Sequence, residues 1–210
     1  MRESPPLLGP AGPLEALLET PDGAAARSPA AIGIVCHPHP LYGGTLTNKV
    51  VHTAARALVE SGVAALRFNF RGVGASAGSY DDGRGETADL LAAVTWLRAR
   101  WPQAPLILGG FSFGAYVALR AVDAVQPARL FTIAPPIGRW DLTGVVMPNC
   151  QWLVVQGEAD EVVDAATVFA WAAERDPAPR IERIAGAGHF FHGQLHELQG
   201  VLRRFLREAL

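Results

Sequence analysis

The chain has 210 residues, half of them apolar, which suits one sizeable core rather than two. A formal net charge of −2 speaks against a nucleic-acid binder, which needs a clustered positive field, and the arginines at 203, 204 and 207 sit beside Glu208 as a solvated face. Two distant cysteines, Cys36 and Cys150, make neither a disulfide framework nor a metal-type pair, so a reducing, cytoplasmic setting is expected.

Residues 1–13, MRESPPLLGPAGP, read as a flexible lead-in to one domain over 14–210. They contain an early Glu3 and no long apolar run, so neither a signal peptide nor a membrane anchor is expected. A first strand-length run covers 14–20. A second, AIGIVCH at 31–37, is apolar nearly throughout and enters the loop HPHPLYGG at 37–44. Leu46, Val50, Ala54 and Leu58 then mark one face of a helix. The third strand, at 63–68, leads to Gly72-Val73-Gly74-Ala75-Ser76-Ala77, which fits the dinucleotide pattern G-x-G-x-x-G/A. The polar loop GSYDDGRGE follows it where that motif needs a helix, and no acid ends a strand about twenty positions on, so a nucleotide cofactor is not expected.

Leu90, Val94 and Leu97 mark a second helix, ahead of a fourth strand at 105–110. Directly after it comes Gly110-Phe111-Ser112-Phe113-Gly114, and then the helical pattern AYVALRAV. G-x-S-x-G between a strand and a helix is the sharp turn that lifts a serine hydroxyl above a sheet, with glycines where a Cβ would collide with neighbouring backbone. A fifth strand covers 129–133. The gap from 134 to 150 is too short for a helical lid, and a sixth strand follows at 151–156. After a seventh at 180–184 comes the loop Ala187-Gly188-His189. The last helix is marked by Leu195, Leu198, Leu202, Phe205 and Leu206.

Strands that are apolar throughout belong to a sheet covered on both faces, and their alternation with helices predicts a three-layer α/β/α sandwich with a mostly parallel sheet. In such sheets chemistry collects beyond the carboxyl ends of the strands. Ser112 lies there. A serine needs a base, and His189 in its Gly-rich loop fits that role better than His192. The base needs a carboxylate to orient it, and the turn after the sixth strand offers Glu158, Asp160, Glu161 and Asp164. Asp164 fits the N-cap of the helix AATVFAWAAE, and Asp160 is favoured for the orienting role over Glu161 and Glu158. The oxyanion of an acyl-transfer reaction needs two N–H donors. Phe113, after the serine, supplies one; the prolines of the 37–44 loop leave His39, Leu41 or Tyr42 for the other, with His39 favoured and then Leu41.

Five spaced motifs, HPHPLYGG at 37–44, RFNFRGVGASAG at 67–78, GFSFG at 110–114, GEADEVV at 157–163 and GAGHFFHG at 186–193, resemble the α/β-hydrolase superfamily over nearly the whole chain. The similarity is greatest to small bacterial serine hydrolases without a cap, of the dienelactone-hydrolase-like kind. The resemblance implies a Ser112-Asp160-His189 triad, an acyl-enzyme, no cofactor, and a small-molecule ester or thioester as substrate. It also makes the Gly-rich stretch a structural turn tied down by Arg71. The loop departs from the pattern in having proline where many relatives have His-Gly.

Without a lid the site is expected to be open, with Trp140 and Tyr42 as candidate walls; Tyr42, Arg71, Asn48 and His192 are candidate substrate contacts. Two other readings compete. One is a metal-dependent hydrolase using His37, His39 and His189, with His192 as a further imidazole. The other is a binding protein on the same fold that performs no catalysis.

Overall fold

The apolar runs become the strands of a twisted central sheet. A computed structural model describes residues 1–208; among them ten strands, five α-helices and two short 3-10 turns are formed. The strands are β1 (Arg2–Glu3), β2 (Leu7–Gly9), β3 (Gly12–Leu14), β4 (Ala16–Glu19), β5 (Ala31–Cys36), β6 (Val63–Phe68), β7 (Leu106–Phe111), β8 (Arg129–Ile133), β9 (Gln151–Gly157) and β10 (Arg180–Ile184). The helices are α1 (Lys49–Glu60), α2 (Arg84–Arg100), α3 (Phe113–Val125), α4 (Ala165–Ala173) and α5 (Leu195–Arg207).

The main sheet runs in the order β1-β4-β6-β5-β7-β8-β9-β10. From β6 to β10 all neighbours are parallel, whereas β4 is antiparallel to β6 and β1 antiparallel to β4. Side chains alternate between two cores, as a strand covered on both faces requires. In β5, Ile32, Ile34 and Cys36 pack under α2 and α3, while Ala31 and Val35 pack under α1 and α5. This is the α/β/α sandwich of the α/β-hydrolase fold. Between β8 and β9, residues 134–150 form no helix, so no lid covers the sheet's carboxyl edge. None of the helices among the described residues is long and apolar enough to cross a membrane.

Strand order reverses around β5: the chain goes to β6 on one side and returns to β7 on the other. The helices that follow β5 and β7 lie on opposite faces of the sheet, α1 on one and α3 on the other. Their entry loops therefore diverge and open a crevice. Both HPHPLYGG and GFSFG border it.

Two expectations for the N-terminus need correction. Residues 1–13 are not a free lead-in. β1 pairs with β4, the terminal amine donates to the Thr20 carbonyl at 3.0 Å, and the β2–β3 hairpin buries Leu7 and Leu14 against the α2 face. Apolar side chains within the Pro/Gly-rich stretch find a core to cover, which fixes it. Nor is 14–20 one strand. Leu14 closes the hairpin and Ala16 starts the sheet strand, with Glu15 between them as the pivot. The Glu15 carboxylate accepts from Asn69 Nδ2 (2.8 Å) and the Ala75 N–H (2.9 Å), tying hairpin and Gly-rich loop together.

Candidate active site

The turn between β7 and α3 holds Ser112 at φ 53°, ψ −121°, in the left-handed half of backbone space. Such a conformation costs on the order of 1–3 kcal/mol in a non-glycine residue and is held here by its surroundings. The Ser112 N–H donates to the Ile133 carbonyl at 2.8 Å. Neither flanking glycine has room for a side chain: a Cβ on Gly110 would lie 2.2 Å from the Gly114 oxygen, and one on Gly114 would lie 2.3 Å from the Cys36 oxygen. The G-x-S-x-G spacing is thus dictated by backbone packed on backbone. Strand, turn and helix pass so close together that the serine side chain projects over the sheet at the start of α3.

The loops after β9 and β10 meet at this hydroxyl. His189 Nε2 lies 3.0 Å from Ser112 Oγ, and His189 Nδ1 lies 2.8 Å from Asp160 Oδ2. Both members of the imidazole–carboxylate pair are buried. Asp160 is fixed on every side. Oδ1 accepts from the N–H groups of Val162 (2.8 Å) and Val163 (2.7 Å), and Oδ2 also accepts from Gln156 Nε2 at 2.9 Å. Burial alone would raise its pKa. The hydrogen bond from His189, with those of the two valine amides, outweighs burial and holds the carboxyl below its ordinary value. It therefore stays ionised against the ring.

The other acids of the turn take other work. Asp164 caps α4, accepting from the N–H (2.9 Å) and hydroxyl (2.6 Å) of Thr167. Glu161 accepts the backbone N–H of His189 at 3.1 Å, a contact that nothing in the sequence announces. Glu158 is exposed. Gln156 is the further residue missed by sequence reasoning. Its one signal was a buried amide at the carboxyl end of β9, beyond the apolar run Trp152–Val155.

The loop after β5 is organised by its histidines. His37 is fully buried, with Nδ1 2.7 Å from the Pro38 carbonyl and Nε2 3.0 Å from the Phe70 nitrogen. The Phe70 N–H can only donate, so Nε2 accepts it, and Nδ1 carries the proton given to Pro38. The ring is a neutral strut between the HPHP loop and the Gly-rich loop, and burial lowers its pKa to about 4. His39 Nδ1 accepts the Leu41 N–H at 3.2 Å, and His39 Nε2 meets the Tyr80 hydroxyl at 3.1 Å. Burial lowers the pKa of His39 too, against the opposing charge of Asp82.

Of the loop's amides, Leu41 is taken by that imidazole, Tyr42 and Gly44 by the His39 carbonyl, and Gly43 by the Pro40 carbonyl. The His39 N–H has no acceptor among the described residues. The expectation of Leu41 as the alternative donor therefore fails, because its N–H is turned back onto a side chain. The N–H of Phe113, in the first turn of α3, has no acceptor within the helix.

An open cavity of about 380 Å³ lies over Ser112 and His189. Tyr42, Asn48, Arg139, Trp140, Val163 and Phe190 are among the residues that line it. Trp140 and Tyr42 thus take the wall positions expected of them, and Asn48 also caps α1 through the Val50 N–H at 2.9 Å. Two expected substrate contacts are not part of this lining. Arg71 gives its N–H, Nε and Nη2 to the buried Asp89 at 3.0, 3.0 and 2.7 Å, which anchors the Gly-rich loop. His192 is exposed and stacks on Phe190. The alternative metal set is not assembled either. Both ring nitrogens of His37 are engaged, and no cluster of three His, Cys, Asp or Glu side chains suited to a metal occurs among the described residues.

A family model described as X-Pro dipeptidyl-peptidase (S15 family) matches residues 14–204. The chain belongs to that family. Along its whole length it is 46% identical to an α/β serine hydrolase without lid from Xanthomonas campestris, covering 97% of that chain with a TM-score of 0.92. An α/β serine hydrolase homologue from Coxiella burnetii is 43% identical, with 97% of each chain covered and a TM-score of 0.91. An uncharacterized protein of Rickettsia prowazekii is 37% identical over 201 residues, 87% of this chain and 82% of that one. This S15-family member is accordingly a hydrolase of the lidless α/β serine hydrolase group.

Proposed function

We propose that this hydrolase cleaves a small carboxylic ester or thioester through an acyl-enzyme on Ser112. The observation that carries the reading is the hydrogen-bonded line Asp160–His189–Ser112, at 2.8 and 3.0 Å, beneath an open cavity. His189 Nε2 takes the hydroxyl proton as Ser112 Oγ attacks the carbonyl carbon, and the ionised Asp160 stabilises the imidazolium that forms. The N–H groups of Phe113 and His39 hold the oxyanion; each such donor is worth on the order of 3 kcal/mol in the transition state. His189 then protonates the departing alcohol or thiol, and water repeats the sequence to free the acid.

Three features favour a compact ester over a peptide. The cavity is at the small end of ligand pockets, which run from about 300 to 1,000 Å³. No lid encloses an apolar tunnel for a long acyl chain. A dipeptidyl-peptidase substrate presents a free ammonium, and among the described residues lining the cavity there is no carboxylate to receive one. A non-catalytic scaffold would have no need of an ionised, fourfold-bonded Asp160.

The test is turnover of a series of p-nitrophenyl esters from acetate to decanoate by the native chain and by Ser112→Ala. Short esters should be preferred, with a burst of nitrophenol, and the variant should lose about five to six powers of ten in kcat. Ordinary turnover by Ser112→Ala would overturn the mechanism.

A further inference from the structure

The charge of the cavity bears on which ester enters it. Arg139 lines the space over Ser112, on the segment between β8 and β9. Its backbone N–H is anchored on the Pro136 carbonyl at 3.1 Å. Next to it, Trp140 is wedged among His39, Phe113 and Tyr116, with ring centroids 5.4 to 6.0 Å apart. The segment is thus held in place beside the serine.

Most arginines of this chain that lie near acids are paired with them: Arg71 with Asp89, Arg84 with Asp81, Arg175 with Glu174, Arg180 with Glu182. Arg139 has no carboxylate partner among the described residues, and none of the other residues lining its cavity carries a negative charge. Asp160, the nearest acid to the chemistry, is fully buried beneath His189 and committed to four donors. A planar guanidinium with free donors, facing a small cavity next to the reacting atoms, is suited to bind a carboxylate through two parallel hydrogen bonds.

We propose that the substrate of this site is an anionic ester or thioester, carrying a carboxylate that Arg139 receives while the scissile carbonyl lies at Ser112. The inference rests on the serine-ester reading and sharpens it. The carboxylate belongs either to the acyl part, as in a monoester of a dicarboxylic acid, or to the leaving group. In both cases the same ion pair fixes the carbonyl's position. Arg139 is exposed to water, so its contribution is that of a solvated charged hydrogen bond, about tenfold in specificity rather than a thousandfold.

The experiment compares matched charged and neutral esters in the full chain. For the acyl side, the pair is mono-p-nitrophenyl glutarate against p-nitrophenyl valerate; for the leaving-group side, 4-acetoxybenzoate against phenyl acetate. In one of the two pairs the native enzyme should give the higher kcat/KM with the anion, and the pair that responds identifies the side. That ratio should fall about tenfold in Arg139→Gln and further in Arg139→Glu. In the native enzyme alone it should also shrink as salt is raised from low to molar concentration.

A ratio that responds neither to salt nor to Arg139→Glu in either pair would overturn the charge assignment, while turnover of the neutral esters would leave the serine mechanism standing. Failure of the native chain to turn over any ester would overturn both.

Discussion

Lowering the pH from 7 to 4 protonates His37, and its environment sets how much stability is lost with the neutral ring. The imidazole is fully buried, gives its Nδ1 proton to Pro38 and accepts the Phe70 N–H on Nε2. A second proton would have to displace the Phe70 donor. Burial takes the pKa from 6.5 to about 4. Because the folded value lies below the unfolded one, the unfolded chain takes up the proton first. The stabilisation is therefore complete above about pH 6.5 and is lost as the pH falls to about 4. At about 1.4 kcal/mol per unit, that interval corresponds to about 3 kcal/mol.

The assay is urea unfolding of the native chain and of His37→Asn at several pH values from 7 to 4. His39 and His52 are also lowered by burial, but they add the same slope to both proteins. The depressed pKa of Asp160 acts on the acid side of the ordinary carboxylate value, its stabilisation present above that value and lost below it. The native chain should lose about 3 kcal/mol more than the variant over this range. Equal losses in the two proteins would refute the assignment of His37 as a neutral buried strut.

Other consequences can be checked on single variants. Asp160→Asn should lower kcat about ten-thousandfold, whereas Glu161→Gln, which touches only the His189 N–H, should cost less than about tenfold; the reverse order in steady-state assays would give Glu161 the orienting role. Gly114→Ala puts a Cβ 2.3 Å from the Cys36 oxygen and should destabilise the fold by about 3 kcal/mol or more in urea, so an unchanged midpoint would contradict the backbone packing at the turn. Tyr80→Phe keeps the ring packed on Phe113 and removes the hydroxyl that His39 Nε2 meets. It should lower kcat/KM about three- to tenfold with little change in stability, and an unchanged kcat/KM would mean that Tyr80 only packs.

What could be read from the sequence followed from local rules. β5 and β7 are apolar throughout, and β9 along Trp152–Val155, because helices cover both faces of the sheet, and Ser112 stands where glycine spacing and the strand–helix junction must coincide. His189 was legible because it sits in a glycine-rich loop after the last strand. Harder to read was whatever depends on a side chain's direction. Leu41 stood second to His39 as a donor, and only the His39 ring folding back on the Leu41 amide removes it. Arg71 was read both as a tie for the Gly-rich loop and as a substrate contact, because its partner Asp89, which makes it the tie, lies inside α2 and is not marked by any motif. The hairpin at 7–14 was hidden because a Pro/Gly-rich stretch reads as coil unless the core that Leu7 and Leu14 join is known. No motif marks Arg139; only the course of the segment between β8 and β9 brings it to the cavity.

Everything proposed for the site depends on Ser112 being made reactive by His189 and Asp160. The most direct measurement is the intact mass of the native chain after brief exposure to a fluorophosphonate probe, followed by peptide mapping. One adduct per chain, on the peptide containing Ser112 and abolished by His189→Ala as well as by Ser112→Ala, is the predicted result. A well-folded native chain that takes up no probe, or takes it up at another residue, would mean that Ser112 is not the nucleophile.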